Sequence, residues 1–160
     1  MDIWTEGLES RHLPILKNWI GRTSGRMTLN DLPEDPTRLS AWYEDCSAEV
    51  GRLDCLISVY ETPVGVSGLR KGQDGAGEFY LLLGETNYNP LRTATYATLR
   101  MLDRAFEECG CTRVWIRLFP CFGEYREALE RMGFSQTGEE DGLICAKIRK
   151  QDFLSRKYLF

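Results

Sequence analysis

A chain of 160 residues, 42% hydrophobic and 28% charged, has the length of a single domain, 1–160, with enough apolar content to bury a core without covalent staples. Its net charge of −4 argues against a general nucleic-acid partner, because phosphate binding needs concentrated positive charge. No apolar run nears the roughly 20 residues that cross a bilayer, and the start MDIWTEG lacks the basic and apolar regions of an export signal, so a cytoplasmic protein with no membrane partner is expected.

Residues 2–8 read as a first strand around Ile3 and Trp4. From Arg11 onward, Leu13, Ile15, Leu16, Trp19 and Ile20 share one helical face. Ser10 is the expected N-cap, Pro14 is tolerated only because it lies in the first turn, and Gly21 ends the helix. His12, the one histidine, falls at the start of this helix, where exposure is the default and catalysis the exception. Residues 22–36 mix turn formers with charge and read as a loop. A helix over 37–46 would put Leu39, Trp42, Tyr43 and Cys46 on one side, either as core or as the wall of a substrate pocket. Strands at 53–60 and 62–70 are close enough for a hairpin. The Gly-rich stretch 71–77 precedes a strand and lacks a Gly-Lys-Ser/Thr ending, which excludes a P-loop.

The apolar run 79–83 reads as a buried strand, followed by a turn at Asn87, Asn89 and Pro90. A helix from Thr95 would carry Leu99, Leu102, Phe106 and Cys109 on one face and stop at Gly110. Val114, Ile116 and Leu118 then alternate with Trp115, Arg117 and Phe119, the period of a strand. Together these make a βαβ unit with a right-handed crossover. The loop at the helix N-terminus is a natural anion seat, to which Arg92 would add a full charge; taken alone, an ordinary surface turn with a solvated Arg92 is the better reading. Residues 125–132 suit a short helix with Ala128, Leu129 and Met132 inward and Gly133 as its stop. Strands at 134–137 and 143–148 flank the turn Glu139, Glu140, Asp141, Gly142. The tail 151–160 fits helix or strand. Six cysteines without a CxxC pair, and one histidine, make a metal site improbable and buried thiols the expectation.

This order of elements and the ending ALERMGFSQTG resemble the GNAT superfamily of acyl-CoA-dependent N-acetyltransferases, most closely its ribosomal-protein and small-amine branch. The resemblance spans the chain; its specific fragments are FYLLLGE at 79–85, AFEECG at 105–110, Arg113-Val114, and LERMGF at 129–134. It implies an α/β (α+β) fold with a mixed, largely antiparallel twisted sheet of about seven strands, a central βαβ unit and about four helices. It also implies acetyl transfer from acetyl-CoA to the primary amine of a small molecule or peptide by direct attack, with no metal; a homodimer is compatible with it. By resemblance, the gap beside strand 79–83 receives the cofactor and a backbone N–H near Leu82 or Leu83 polarises the thioester. The pyrophosphate loop is carried onto Asn89, Leu91, Arg92, Thr93, Ala94 and Thr95. Arg92 and Ala94 stand at its two glycine positions, and Pro90 where many members have another glycine. Arg92 therefore either obstructs the backbone path to pyrophosphate or binds phosphate with its own guanidinium. Phe122 stands where many members place an Asn that contacts pantetheine, and Leu129 where some carry a tyrosine acid, so Tyr125, one turn earlier, is the candidate acid. Glu78 is the candidate base acting through water, with Glu85 a weaker one. A different class remains open: a GNAT-fold protein that no longer binds cofactor and serves as an interaction module. The altered loop with Phe119 and Phe122 also suggests a longer acyl-CoA or an acyl-carrier protein.

Overall fold

The computed structural model describes residues 2–21 and 26–156. Strands β1 (Ile3–Gly7), β2 (Arg52–Val59), β3 (Thr62–Lys71), β4 (Ala76–Leu83), β5 (Arg113–Leu118), β6 (Ser135–Glu140) and β7 (Leu143–Arg149) form one sheet in the order β1-β2-β3-β4-β5-β7-β6. All neighbours are antiparallel except β4 and β5, which are joined in parallel through a long crossover helix. This is the expected mixed sheet with a central βαβ unit. Among the described residues the helices are α1 (Leu13–Ile20), α2 (Leu39–Ala48), α3 (Pro90–Glu107), α4 (Gly123–Met132) and α5 (Lys150–Arg156), in keeping with the expected fold. None of the described helices is long and apolar enough to cross a membrane.

The near-continuous apolar run of β4 is explained by cover on both faces. Phe79, Leu81 and Leu83 join the core under α3 and α4, whereas Tyr80 and Leu82 pack with Leu16, Trp19, Ile20 and Leu39 under α1 and α2. In β5, Val114, Ile116 and Leu118 are buried and the intervening residues are not, as their alternation predicts. Gly133, at φ 118°, closes α4 in a left-handed turn, with its N–H on the Glu130 carbonyl and that of Phe134 on Leu129.

Three expectations change. First, α3 begins at Pro90 rather than at Thr95, because proline suits the first helical position and Asn89 caps it. Second, the N-cap of α1 is His12 rather than Ser10, because a 3-10 turn, Ser10–His12, capped by Glu9, precedes the helix; His12 Nδ1 accepts the Glu9 N–H at 2.9 Å. Third, His12 is buried rather than exposed, at 7%. The tail, open between helix and strand, forms α5 as far as Arg156, and its Phe153 ring lies 5.5 Å from that of Phe106. Residues 157–160 of the tail and 22–25 of the expected loop lie outside the described residues.

The rest of that loop has a defined task. β4 and β5 pair only at Ala76↔Arg113, Gly77↔Val114 and Glu78↔Trp115, after which their inner edges separate. A strap, 26–29, crosses between them through bridges Arg26↔Leu82 and Thr28↔Leu118. The Met27 N–H donates to the Leu81 carbonyl at 3.3 Å, the Leu29 N–H to Arg117 at 2.8 Å, and the Phe119 N–H to Met27 at 3.1 Å. Thr28, fully buried, accepts the Leu81 N–H on Oγ1 at 2.9 Å. Thr28→Val keeps the shape and removes this acceptor; it is expected to cost about 1–3 kcal/mol, read as a lower urea midpoint, while Thr28→Ser stays nearer the wild type.

Candidate functional site

Where β4 and β5 part, a cavity of about 870 Å³ opens on the α3/α4 side of the sheet. Leu83 and Thr86 line it from the end of β4, Pro90 and Leu91 from the start of α3, and Phe119, Pro120, Phe122 and Tyr125 from the end of β5 and the start of α4. Cys121, Gly123 and Glu124 also line it, as do Arg26 and Met27 of the strap. Its volume is within the range of small-molecule sites, and most of its walls are apolar.

The structure gathers four of the anticipated residues here: Leu83, Leu91, Phe122 and Tyr125. Leu82 instead points its side chain into the α1/α2 cluster, and because main-chain groups alternate along a strand, its N–H faces β3 while those of Leu81 and Leu83 face the gap. Thr93 and Ala94 are buried on the core side of α3. Thr95 donates its hydroxyl to the Leu91 carbonyl at 2.7 Å. Asn89, at φ 40°, accepts the Arg92 N–H on its side chain at 3.1 Å and the Thr93 N–H on its carbonyl at 3.0 Å. Pro90 has no N–H, so Leu91 keeps the one first-turn N–H with no acceptor among the described residues. The helix dipole persists, and the Arg92 guanidinium stands exposed on the same turn.

Tyr125 is only 2% exposed. Its hydroxyl lies 2.6 Å from Thr98 Oγ1, and since Thr98 gives its own hydrogen to the Ala94 carbonyl at 2.7 Å, Tyr125 is the donor. Burial pushes its phenol pKa up, outweighing the opposing effect of the Thr98 bond. The phenol is thus held protonated, with that proton directed into α3.

Glu78 lies on the opposite face. Its carboxylate accepts two hydrogen bonds from Arg117, at 2.7 and 3.2 Å, and Arg117 stacks 5.1 Å from the Trp115 ring. Both charged groups line a small polar cavity of about 140 Å³ with Tyr80, Arg70 and Arg52. Arg117 also lines a neighbouring cavity of about 370 Å³ beside Phe119, Glu140 and Asp141. Glu85 accepts the Trp19 Nε1–H at 3.2 Å. The six cysteines are free thiols. Burial raises the pKa of Cys55, Cys109 and Cys111, and takes Cys46 to about 12. No cluster of three or more His, Cys, Asp or Glu side chains among the described residues could hold a metal.

Sequence reasoning missed Arg26 and Met27 as lining residues, and also Thr86, Pro120, Cys121, Gly123 and Glu124. The first two fall in the expected loop, where a stretch this short has no periodicity to show that it bridges strands.

No protein-family model and no curated protein sequence matches the chain. Solved structures do. The spermidine N-acetyltransferase SpeG from Vibrio cholerae, in complex with CoA and spermine, superposes with a TM-score of 0.81 at 15% identity, covering 95% of this chain and 98% of its own. The Campylobacter jejuni N-acetyltransferase PseH gives 0.70 at 12%, covering 92% and 98%. The chain has the fold of the GNAT N-acetyltransferases. At such identities the likeness establishes the GNAT fold and leaves activity to the site itself.

Replacing Tyr125 by Phe keeps the ring and removes the bond to Thr98. The expected loss is about 1 kcal/mol of stability, and a double-mutant cycle with Thr98→Val should show that the two changes are not additive.

Proposed function

We propose that this chain is an acyl-CoA-dependent N-acyltransferase that moves an acetyl group from acetyl-CoA to a primary amine by direct attack. The observation that carries this reading is the apolar cavity of about 870 Å³ at the parting of β4 and β5, ending at the α3 N-terminus. A chamber of this size and lining suits a thin pantetheine arm, and a helix N-terminus suits a phosphate. Leu83, Leu91 and Phe122 would hold the arm; Arg92 and the Leu91 N–H would meet the phosphates. Bound there, acetyl-CoA supplies the acyl group as an activated thioester.

The chain's own residues must then present a neutral amine. Glu78, fixed by Arg117, is the proposed base, taking the amine proton through water from the face opposite the cavity. That the SpeG neighbour was solved with spermine supports an amine as the acceptor class. Tyr125, the candidate acid, gives its proton to Thr98 and contributes as a wall of the chamber, so CoA leaves as the thiolate when the C–S bond breaks and takes its proton from water.

A second reading has an observation of its own. Pro90 lacks an N–H and the Asn89 side chain takes that of Arg92, so two of the donors that a helix start could offer a phosphate are missing, which favours a GNAT-fold interaction module without cofactor.

Calorimetric titration with acetyl-CoA separates the two. The enzyme reading expects saturable binding; no heat at about 1 mM cofactor would favour the module. Given binding, Arg92→Glu should weaken it about tenfold by placing a like charge beside phosphate. Glu78→Gln should lower kcat about 100-fold with little change in acetyl-CoA affinity, measured by thiol release with a panel of primary amines.

A further inference from the structure

We propose that Phe119 sets the length of acyl group that this site accepts. The inference rests on the acyl-CoA reading above and adds a selectivity that the fold does not specify.

Two chambers lie on opposite sides of the strap. The larger, about 870 Å³, has Met27, Leu83 and Phe122 among its walls. The other, about 370 Å³, has Leu29, Arg117 and Leu143, with Glu140 and Asp141 at the β6–β7 turn. Phe119 lines both.

The rest of the partition near this point is main chain, and it is tied from both strands. The Met27 N–H is fixed to the Leu81 carbonyl of β4, the Leu29 N–H to the Arg117 carbonyl of β5, and the Phe119 N–H to the Met27 carbonyl. Thr28 between them is fully buried and lines neither chamber. A side-chain change cannot move this backbone cheaply, because every shift would break a strap hydrogen bond. The Phe119 ring, half-buried, is therefore the removable part of the wall.

An acyl chain held by its thioester in the larger chamber has apolar walls behind it and this ring ahead. Two carbons end before the wall, whereas a longer chain needs the space that the ring fills. Shortening residue 119 joins the chambers through a passage flanked by Met27, Leu29 and Leu143, so added methylenes gain apolar contact instead of a clash.

The test is the ratio of dissociation constants for octanoyl-CoA and acetyl-CoA, measured by calorimetry without an amine, on the wild type, Phe119→Ala and Phe119→Trp. The wild type should favour acetyl-CoA. Phe119→Ala should shift the ratio toward octanoyl-CoA by about tenfold or more, and Phe119→Trp should shift it the other way. Should the alanine variant fail to fold, Phe119→Leu takes its place with a smaller shift of the same sign. Ratios within about twofold of the wild type in all folded variants, or a wild type that prefers octanoyl-CoA, overturn this inference while leaving the acyl-CoA reading intact. A wild type that binds neither thioester overturns both.

Discussion

The parting of β4 and β5 is the constraint on which the rest of the molecule depends. The outer edge of β4 is held by β3 as far as Leu83, and that of β5 by β7 as far as Leu118. Once their own pairing ends at Glu78 and Trp115, the inner edges must find partners elsewhere. A buried N–H or carbonyl without one costs about 1–3 kcal/mol, a large share of the net stability of a domain. The strap satisfies several such groups while leaving space on the α3/α4 side.

The strap is itself anchored by charge. Asp31, just beyond it, takes a two-pronged bond from Arg52 at 2.6 and 2.8 Å and a third from Trp42 Nε1 at 3.2 Å. Arg52, its side chain 4% exposed, also reaches Asp54 at 2.9 Å, which in turn accepts the Tyr80 hydroxyl at 2.7 Å. Burial works against the Arg52 charge, and the bonds to Asp31 and Asp54 more than offset it, so its pKa is raised. Burial likewise opposes ionisation of Asp31, but Arg52 and Trp42 hold its carboxyl below the usual range. Cutting one member of such a cluster leaves a buried charge uncompensated, which costs more than an exposed ion pair is worth. One charged cluster beneath α2 thus fixes the loop whose main chain divides the two faces of the site.

Elements with their own periodicity were legible in the sequence. β5 alternates, β4 is apolar on both faces, and α4 ends at a glycine followed by Phe134, so the order of elements along the chain could be read. Features that depend on distant partners were not. The strap consists of isolated bridges, which leave no repeating pattern. The helical tail, for one, rests on Phe153 meeting Phe106, 47 residues earlier in the chain. The start of α3 was misplaced because Asn89-Pro90 reads equally as a turn or as a cap followed by a first helical residue. Among the site residues, Leu83, Leu91, Phe122 and Tyr125 were placed at the cavity, whereas the partners of Glu78 and Tyr125, Arg117 and Thr98, come from elements remote in sequence.

The gap between β4 and β5 as a cofactor chamber is tested most directly by amide hydrogen exchange with and without saturating CoA. Protection is predicted in the strap at 26–29, at 83–91 and at 119–125, with the far edges of the sheet, β1 and β6, unchanged. Protection confined to those edges, or an exchange pattern that CoA leaves unaltered, would contradict the assignment.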